Sequence, residues 1–378
     1  MNSILLLFII VVSVTYFLFL ILVYAGIINL RSVKKVTKTS PKLKLSVIIP
    51  FRDEAENLPA LLDDLSKQTY PKELFEIIFV NDNSDDNSAE IINDYASLNN
   101  IRLLNNDSNL KRAFKKNAML KGIKKSSGEI IVSTDADCRV SPRWLESLTS
   151  FFDDNTALVS GPVKFNPGNS LFEKMQSLEF AGLVITGAGL IGIKKPIIAN
   201  AANLAFRKSV FFEVGGYEDN MHLSSGDDEI LMQKIAARTS YSIKYAWDKN
   251  ALVCSKGNSD LNGFLQQRRR WASKSLFYFN KGITIFLSGV FLFYLLLLIL
   301  PVLAIAGVGM AGEILLFLFT TKILLEYFLV MQGEGFLFEK GLRKYFFLTE
   351  IFQIPYIVTA AVLGVFGNYE WKKRKVER

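Results

Sequence analysis

The stretch GEIIVSTDADCRV (residues 128–140) decides how this chain is read. Its first half is a short apolar, β-branched run of the kind that forms a buried strand. Its second half sets Asp135 and Asp137 one residue apart, where that strand should end. Two like charges at this spacing repel, and each loses solvation if the site closes, so a compensating partner is required. Side chains two apart on an extended chain point the same way, so both carboxylates could reach one cation. All-oxygen ligation favours Mg2+ or Mn2+ over zinc, and such an ion keeps waters and bridges phosphates. An isolated D-x-D is equally at home in a solvated turn.

Working outward, LSVIIP (45–50), EIIFVND (76–82) and IRLLNN (101–106) are further strand-like runs. Segments with helical spacing, 54–67, 87–97 and 111–125, separate them. Strands alternating with helices predict an α/β domain with a parallel, Rossmann-like sheet, whose ligands bind beyond the carboxyl ends of the strands. That rule selects PFRDEAEN (50–57), NDNSDDNS (81–88) and TDADCRV (134–140), all of them acidic. Asp82 can accept hydrogen bonds from a base or ribose. The residues after it also read as a turn and helix cap, with Asn87 or Ser88 capping.

Half of the 378 residues are hydrophobic, and they are concentrated. Residues 3–30 carry no charge and exceed the ~20 residues a bilayer crossing needs. They lack the basic start and cleavage site of a signal peptide, so a retained anchor is expected over 1–30. The linker 31–44 has six basic residues and no acidic one. By the positive-inside rule it keeps the domain at 45–262 cytoplasmic. An amphipathic interfacial segment (263–282), about three spans (283–367) and a basic tail (368–378) complete the expected integral, multi-pass chain. Three spans would place that tail outside, against the same rule. LVITGAGLIGI (183–193) is too short to span and is expected in a core or on a lipid-facing surface. Lys322 and Glu326, four apart in an apolar run, read as a helical ion pair or an intramembrane functional site. The net charge of +8 sits largely beside the apolar segments, pointing to anionic headgroups and away from nucleic acid. Cys138 and Cys254 offer neither a disulfide framework nor a metal spacing.

The ordered motifs VIIPFRDEAENL, IIFVNDNSDDNS, SSGEIIVSTDADCRVSP, NLAFRKSVFFEVGGY, SGDDEILMQKI and QRRRW resemble those of the family 2 glycosyltransferases with a GT-A fold. The resemblance, over about 45–275, is to the membrane-anchored branch with ceramide glucosyltransferase and the hyaluronan, chitin and poly-N-acetylglucosamine synthases. It implies a nucleotide-sugar donor, with UDP the usual nucleotide. Pro50, Asp53, Glu54, Asp82, Lys115 and Asp135 would line the donor pocket, although Asp53 stands where the family usually has Asn. Asp137, with Asp135, would hold the Mg2+ or Mn2+. Asp228 would be the catalytic base, with Asp227 the competing assignment and a helix N-terminus the structural alternative. Gln267, Arg270 and Trp271 would meet the diphosphate and sugar, from a helix that also reads as lying on the membrane between Phe264, Leu265, Leu276 and Phe277.

The expected reaction is an inverting transfer to a membrane-lipid hydroxyl, with processive polysaccharide synthesis onto a growing glycan as the alternative. A scaffold that has lost activity is the reading from another class. His222, the lone histidine, is expected to have a surface or structural use.

Overall fold

The structure, a computed structural model, describes residues 3–32, 43–96, 100–106, 113–223, 225–274, 277–278, 280–366, 369–371 and 374–376. Most of the basic linker, Leu276 and parts of the tail lie outside the described residues.

The chain opens with α1 (Ser3–Ser32), followed by β1 (Leu45–Phe51), α2 (Leu58–Ser66), β2 (Phe75–Asn81), α3 (Ser88–Ala96), β3 (Ile101–Asn105), α4 (Phe114–Lys125) and β4 (Ile130–Ser133). Next come β5 (Arg139–Val140), α5 (Trp144–Thr149), β6 (Thr156–Ser160), β7 (Val163–Asn166), α6 (Leu171–Gly192), β8 (Leu204–Arg207) and α7 (Lys208–Glu213). Then follow α8 (Glu229–Arg238), β9 (Ser242–Tyr245), β10 (Val253–Lys256), α9 (Leu261–Ala272), α10 (Lys281–Ile305), α11 (Ala311–Val330) and α12 (Phe346–Phe366).

The main sheet has the order β3-β2-β1-β4-β8-β6-β9. Its first four strands are parallel, as the alternating pattern requires, and β8 runs antiparallel to both neighbours. A small second sheet, β5-β10-β7, flanks it. Strand alternation divides the core in two. Val47, Ile49, Phe79 and Val132 join one cluster, while Ile48, Ile78, Val80 and Ile131 join the other. The second cluster continues into α1, α6, α10 and α11, so the sheet and the apolar helices share one core.

Among the described residues, five helices are long and apolar enough to cross a membrane: α1, α6, α10, and the stretches Ala311–Gly333 and Lys340–Val365. LVITGAGLIGI lies in a core, as expected, and only its length is corrected. That segment is the second half of a 22-residue helix. A capping box starts the helix early, with Glu173 N–H donating to Ser170 Oγ and Ser170 N–H to the Glu173 carboxylate, both at 3.1 Å. Most of α6 is buried.

Much of that burial is against α1, and glycines set the distance. A Cβ on Gly26 would stand 1.9 Å from the Gly189 carbonyl oxygen, and one on Gly189 2.4 Å from that of Val23. Small residues that let two backbones meet are the usual basis of helix association in lipid. The expected Lys322–Glu326 pair forms at 3.0 Å but is part of a wider network. Lys322 also pairs with Glu350 and donates to Gln353, and Tyr16 and Tyr294 donate to Glu326, which joins α1, α10, α11 and α12.

Gly189→Ala should therefore destabilise the detergent-solubilised protein by about 1–3 kcal/mol through overpacking. Gly289→Ala, where nothing lies within 4 Å of the added Cβ, should not. Thermal unfolding of the two variants side by side checks this, and equal midpoints would refute it.

Candidate active site

The register sets Phe51 beside Asn81 and Ile48 beside Ser133, so the acidic segments after β1, β2 and β4 emerge together. They form one wall of a polar cavity of about 230 Å³. The loop before α8 and one face of α9 form the rest. Every sequence candidate except Asp53 lines this cavity: Pro50, Glu54, Asp82, Lys115, Asp135 and Asp137 on one side, Asp228, Gln267, Arg270 and Trp271 on the other.

Asp53 is the correction. It adopts a left-handed backbone (φ 51°), and its carboxylate accepts from the Asp85 N–H at 2.8 Å and pairs with Arg52 Nε at 3.4 Å. An aspartate tolerates that conformation when its side chain bonds locally. Its place on the cavity wall is taken by Arg52, which also donates to the Asp82 carbonyl at 3.1 Å. The geometry of D-x-D is a second correction. Asp135 and Asp137 lie in a turn closed by Cys138 N–H to the Asp135 carbonyl at 3.1 Å, so they are not on extended chain. Arg139 then grips Asp64 through two bonds of 2.6 and 2.7 Å and fixes the turn's exit.

Asp82 is buried and accepts from Asn106 Nδ2 at 2.8 Å. Lys115, on the first turn of α4, lies 2.6 Å from Asp135 and 3.5 Å from Asp227, linking the two sides of the cavity. Burial alone would lower its pKa, but the facing carboxylates outweigh burial and raise it. Burial likewise works to raise Asp227, and Lys115, Lys116 and Lys274 overcome that and hold it below the usual carboxylate range.

Asp228 caps α8, accepting from Glu229 N–H at 2.7 Å and from Ala201 N–H at 3.2 Å. Helix cap and cavity wall are thus the same residue. A carboxylate has about four acceptor positions, so both bonds leave capacity for a substrate hydroxyl.

On α9, Arg268 faces away from the polar cavity. It ion-pairs with buried Glu179 of α6 and stacks on Trp271, 4.3 Å from the ring centroid. Gln267, Arg270 and Trp271 are left facing the cavity. Lys274, one turn on, completes that face and was missed. It is buried, 3.0 Å from Glu229 and 3.5 Å from Asp228. The spacing 267, 270, 271, 274 would have found it.

A second, larger cavity of about 540 Å³ adjoins the first. Leu183 and Val184 of α6, Leu287 and Phe291 of α10, and Ile357 and Val362 of α12 are among its walls. Asn200, Asp228, Trp271 and Lys274 line both cavities.

A family model described as "Glycosyl transferase family group 2" matches residues 130–333, more than half the chain, and one described as "Glycosyl transferase family 2" matches 46–213. The chain belongs to the family 2 glycosyltransferases. Glycosyltransferase AglE of Haloferax volcanii is 32% identical over 217 residues, 56% of this chain and 67% of that relative. The poly-beta-1,6-N-acetyl-D-glucosamine synthase of Staphylococcus epidermidis is 28% identical over 60% of this chain, which spans only 53% of that synthase. Among solved structures, the mannosyltransferase PcManGT from Pyrobaculum calidifontis matches with a TM-score of 0.58 at 17% identity, covering 95% of this chain and 98% of that one. The shared architecture is GT-A.

Enzymes of this family and fold commonly use a divalent metal. Among the described residues no group of three or more His, Cys, Asp or Glu converges to cage an ion. The two carboxylates of the turn, both facing the polar cavity, fit an ion that completes its shell with waters and donor phosphates.

Lys116 supplies a pH test of how the glycosyltransferase supports the loop before α8. It is buried, and its ammonium donates to the Asn220 carbonyl. Burial pushes it down to about 8, against the pull of Asp227 and Asp228. Between that value and the ordinary 10.5, the folded chain has released a proton that the unfolded chain keeps. Stability rises with pH where the unfolded state binds more protons. Across this window wild type should gain on the order of 3 kcal/mol over Lys116→Met. Unfolding curves at stepped pH would show it, and parallel profiles for the two proteins would refute it.

Proposed function

We propose that this glycosyltransferase moves a sugar from a nucleotide-sugar to a hydroxyl of a membrane lipid, inverting the anomeric configuration. The observation that carries this reading is the junction at Asp228, Trp271 and Lys274, where a polar cavity meets an apolar one walled by α6, α10 and α12. The nucleotide and diphosphate occupy the polar side, and the lipid chain occupies the apolar side.

Asp82 accepts hydrogen bonds from the nucleoside, beside Pro50 and Glu54. Arg270 and Lys115 offset the charge of the diphosphate. Asp135 and Asp137 would hold Mg2+ or Mn2+, which when bound would offset further phosphate charge. Trp271 offers a flat face to the sugar, and Gln267, bonded to Asn258 at 3.0 Å, holds its side of the cavity in place. Asp228 takes the proton of the acceptor hydroxyl as that oxygen bonds to the anomeric carbon. The bond to the diphosphate breaks, and its electron pair leaves with the nucleoside diphosphate.

In this reading the protein is integral and multi-pass, which its five apolar helices support, and the basic linker favours a cytoplasmic sheet. Processive polysaccharide synthesis is the second reading, favoured by the likeness to the staphylococcal synthase.

The assay uses purified protein in vesicles of native lipid extract with Mg2+ or Mn2+. The donor panel is UDP-sugars plus GDP-mannose, because the Pyrobaculum enzyme was solved with GDP-Man and Mn2+. Nucleoside diphosphate release and a discrete lipid gaining one sugar mass are expected. Asp228→Asn should lower the rate roughly 10²- to 10⁴-fold, and chelation of the metal should abolish transfer reversibly. A large lipid-free product would instead support the synthase, and no release with any donor would overturn both readings.

A further inference from the structure

The last apolar helix, α12, is long enough to cross a membrane, yet a crossing would set the basic tail opposite the basic linker, against the positive-inside rule. Its neighbours fix where its two ends lie. Three other helix ends mark the face on which the domain sits. Arg31, in the last turn of α1, stands over the Trp247 ring of the domain at 5.5 Å. It also donates to the Gln332 carbonyl, just past α11, at 2.9 Å. Helices α1 and α10 run antiparallel, with Phe19 beside Phe286 and Tyr16 stacked on Phe293. The end of α1, the start of α10 and the end of α11 therefore share the domain's face, and the turn at 307–309 lies at the opposite one.

Helix α12 starts at the domain's face. Phe346 packs on Tyr327, one turn from the end of α11, with ring centroids 5.3 Å apart. Just before it, the Tyr345 ring lies 5.8 Å from the ammonium of Lys174, in the first turn of α6. The second half of α12 returns to the same face. Phe264 of α9 meets Phe352 at 5.9 Å and Tyr356 at 5.0 Å. Further on, Arg269 Nε donates to the Leu363 carbonyl at 3.4 Å, and a Cβ on Gly364 would stand 2.6 Å from that of Ala272. Thus α12 follows α9 along most of its length. Because α9 carries Gln267 and Arg270 on the polar cavity, it is not sunk in hydrocarbon. Pro355 removes one helical hydrogen bond between the two sets of neighbours, where a bend is easiest. Beyond α12, strand β11 (Tyr369–Trp371) again packs against α9.

The outer face of α12 is apolar. Phe347, Leu348, Ile351, Val362 and Leu363 are exposed, and exposed Lys340 and Lys344 precede them. Such a face with lysines at its start suits acyl chains beneath anionic headgroups.

We propose that α12 does not cross the bilayer. It lies in the leaflet on the domain's side, meets that leaflet's lipids with its outer face, and brings the tail back to the domain's face. The proposal rests on reading α1, α10 and α11 as spans and is independent of the acceptor. Residues 31–44 and 368–378 then sit on one side of the membrane, as the positive-inside rule requires.

The test uses the full chain in sealed vesicles, with an epitope and a specific protease site appended after Arg378 or inserted between Gly309 and Met310. Digestion of the domain by trypsin in a parallel sample identifies the vesicles that expose it. In those vesicles the specific protease should remove the tag after Arg378 and spare the tag at 309–310. Sparing of the tag after Arg378 would overturn the proposal. Loss of both tags would also overturn it, by removing the crossing pair α10 and α11 against which α12 is placed. Lipid contact is read separately, with phosphatidylcholine that carries a photoreactive acyl chain. It should label peptides from 346–366 as well as those from α10. Label on α10 and none on α12 would overturn the placement in the leaflet and leave a helix covered by protein alone.

Discussion

Carboxylates at the seam of the two cavities are held out of water by lysines, and the site depends on that compensation. Asp227 and Glu229 are buried, and Asp228 stands between them. An uncompensated charge in such a place costs several kcal/mol. Lys115 comes from α4, Lys274 follows α9, and the acidic triplet runs into the first residue of α8, so charge neutrality ties together segments distant in the chain. Each lysine touches two carboxylates: Lys115 joins Asp135 to Asp227, and Lys274 joins Asp228 to Glu229. Losing Lys115 would strand charge on both sides of the polar cavity at once, and losing Lys274 would strand two adjacent carboxylates.

The apolar helices do more than anchor. Arg268 is fixed by Glu179 of α6, and Tyr356 of α12 donates to the same carboxylate. This buried pair sets the rotation of α9, and the rotation puts Gln267, Arg270 and Trp271 on the polar cavity. Phe264 locks it further, packing edge-on against Tyr356 with ring centroids 5.0 Å apart. The wall of the polar cavity that α9 forms is thus oriented by the apolar helices, while strand ends orient the other wall.

The alternation of strands and helices and the acidic strand ends were legible because they follow from local periodicity and from a general rule for open α/β sheets. The family motifs added the residues opposite. Asp53 was misplaced because a motif position does not show side-chain direction, and here a left-handed backbone spends the carboxylate on the neighbouring loop. For D-x-D the sequence left extended chain and turn both open, because the bond that closes the turn is backbone to backbone and leaves no composition signal. Helix α6 was underread because its charged first half, with Glu173, Lys174 and Glu179, masks its length. Glu179 itself is legible only in three dimensions, as the partner of Arg268.

The choice between a lipid and a growing glycan as acceptor turns on what the larger cavity can satisfy. A sugar chain carries hydroxyls on nearly every carbon, and each must keep a hydrogen bond or lose a few kcal/mol on desolvation. Leu183, Val184, Ile197, Ile198, Leu287, Val290, Phe291 and Ile357 offer no such partners. A hydrocarbon chain loses nothing against these walls and gains roughly 0.8 kcal/mol for each methylene it buries. Polar groups do reach this cavity, Asn200 and Asp228 where it meets the polar one and Thr284 and Ser288 on α10, but its walls are predominantly apolar. A glycan entering beside Asn200 and Asp228 would meet mostly apolar side chains beyond them. The wall chemistry therefore weighs against a polymer path through this cavity and for a lipid whose head alone is polar.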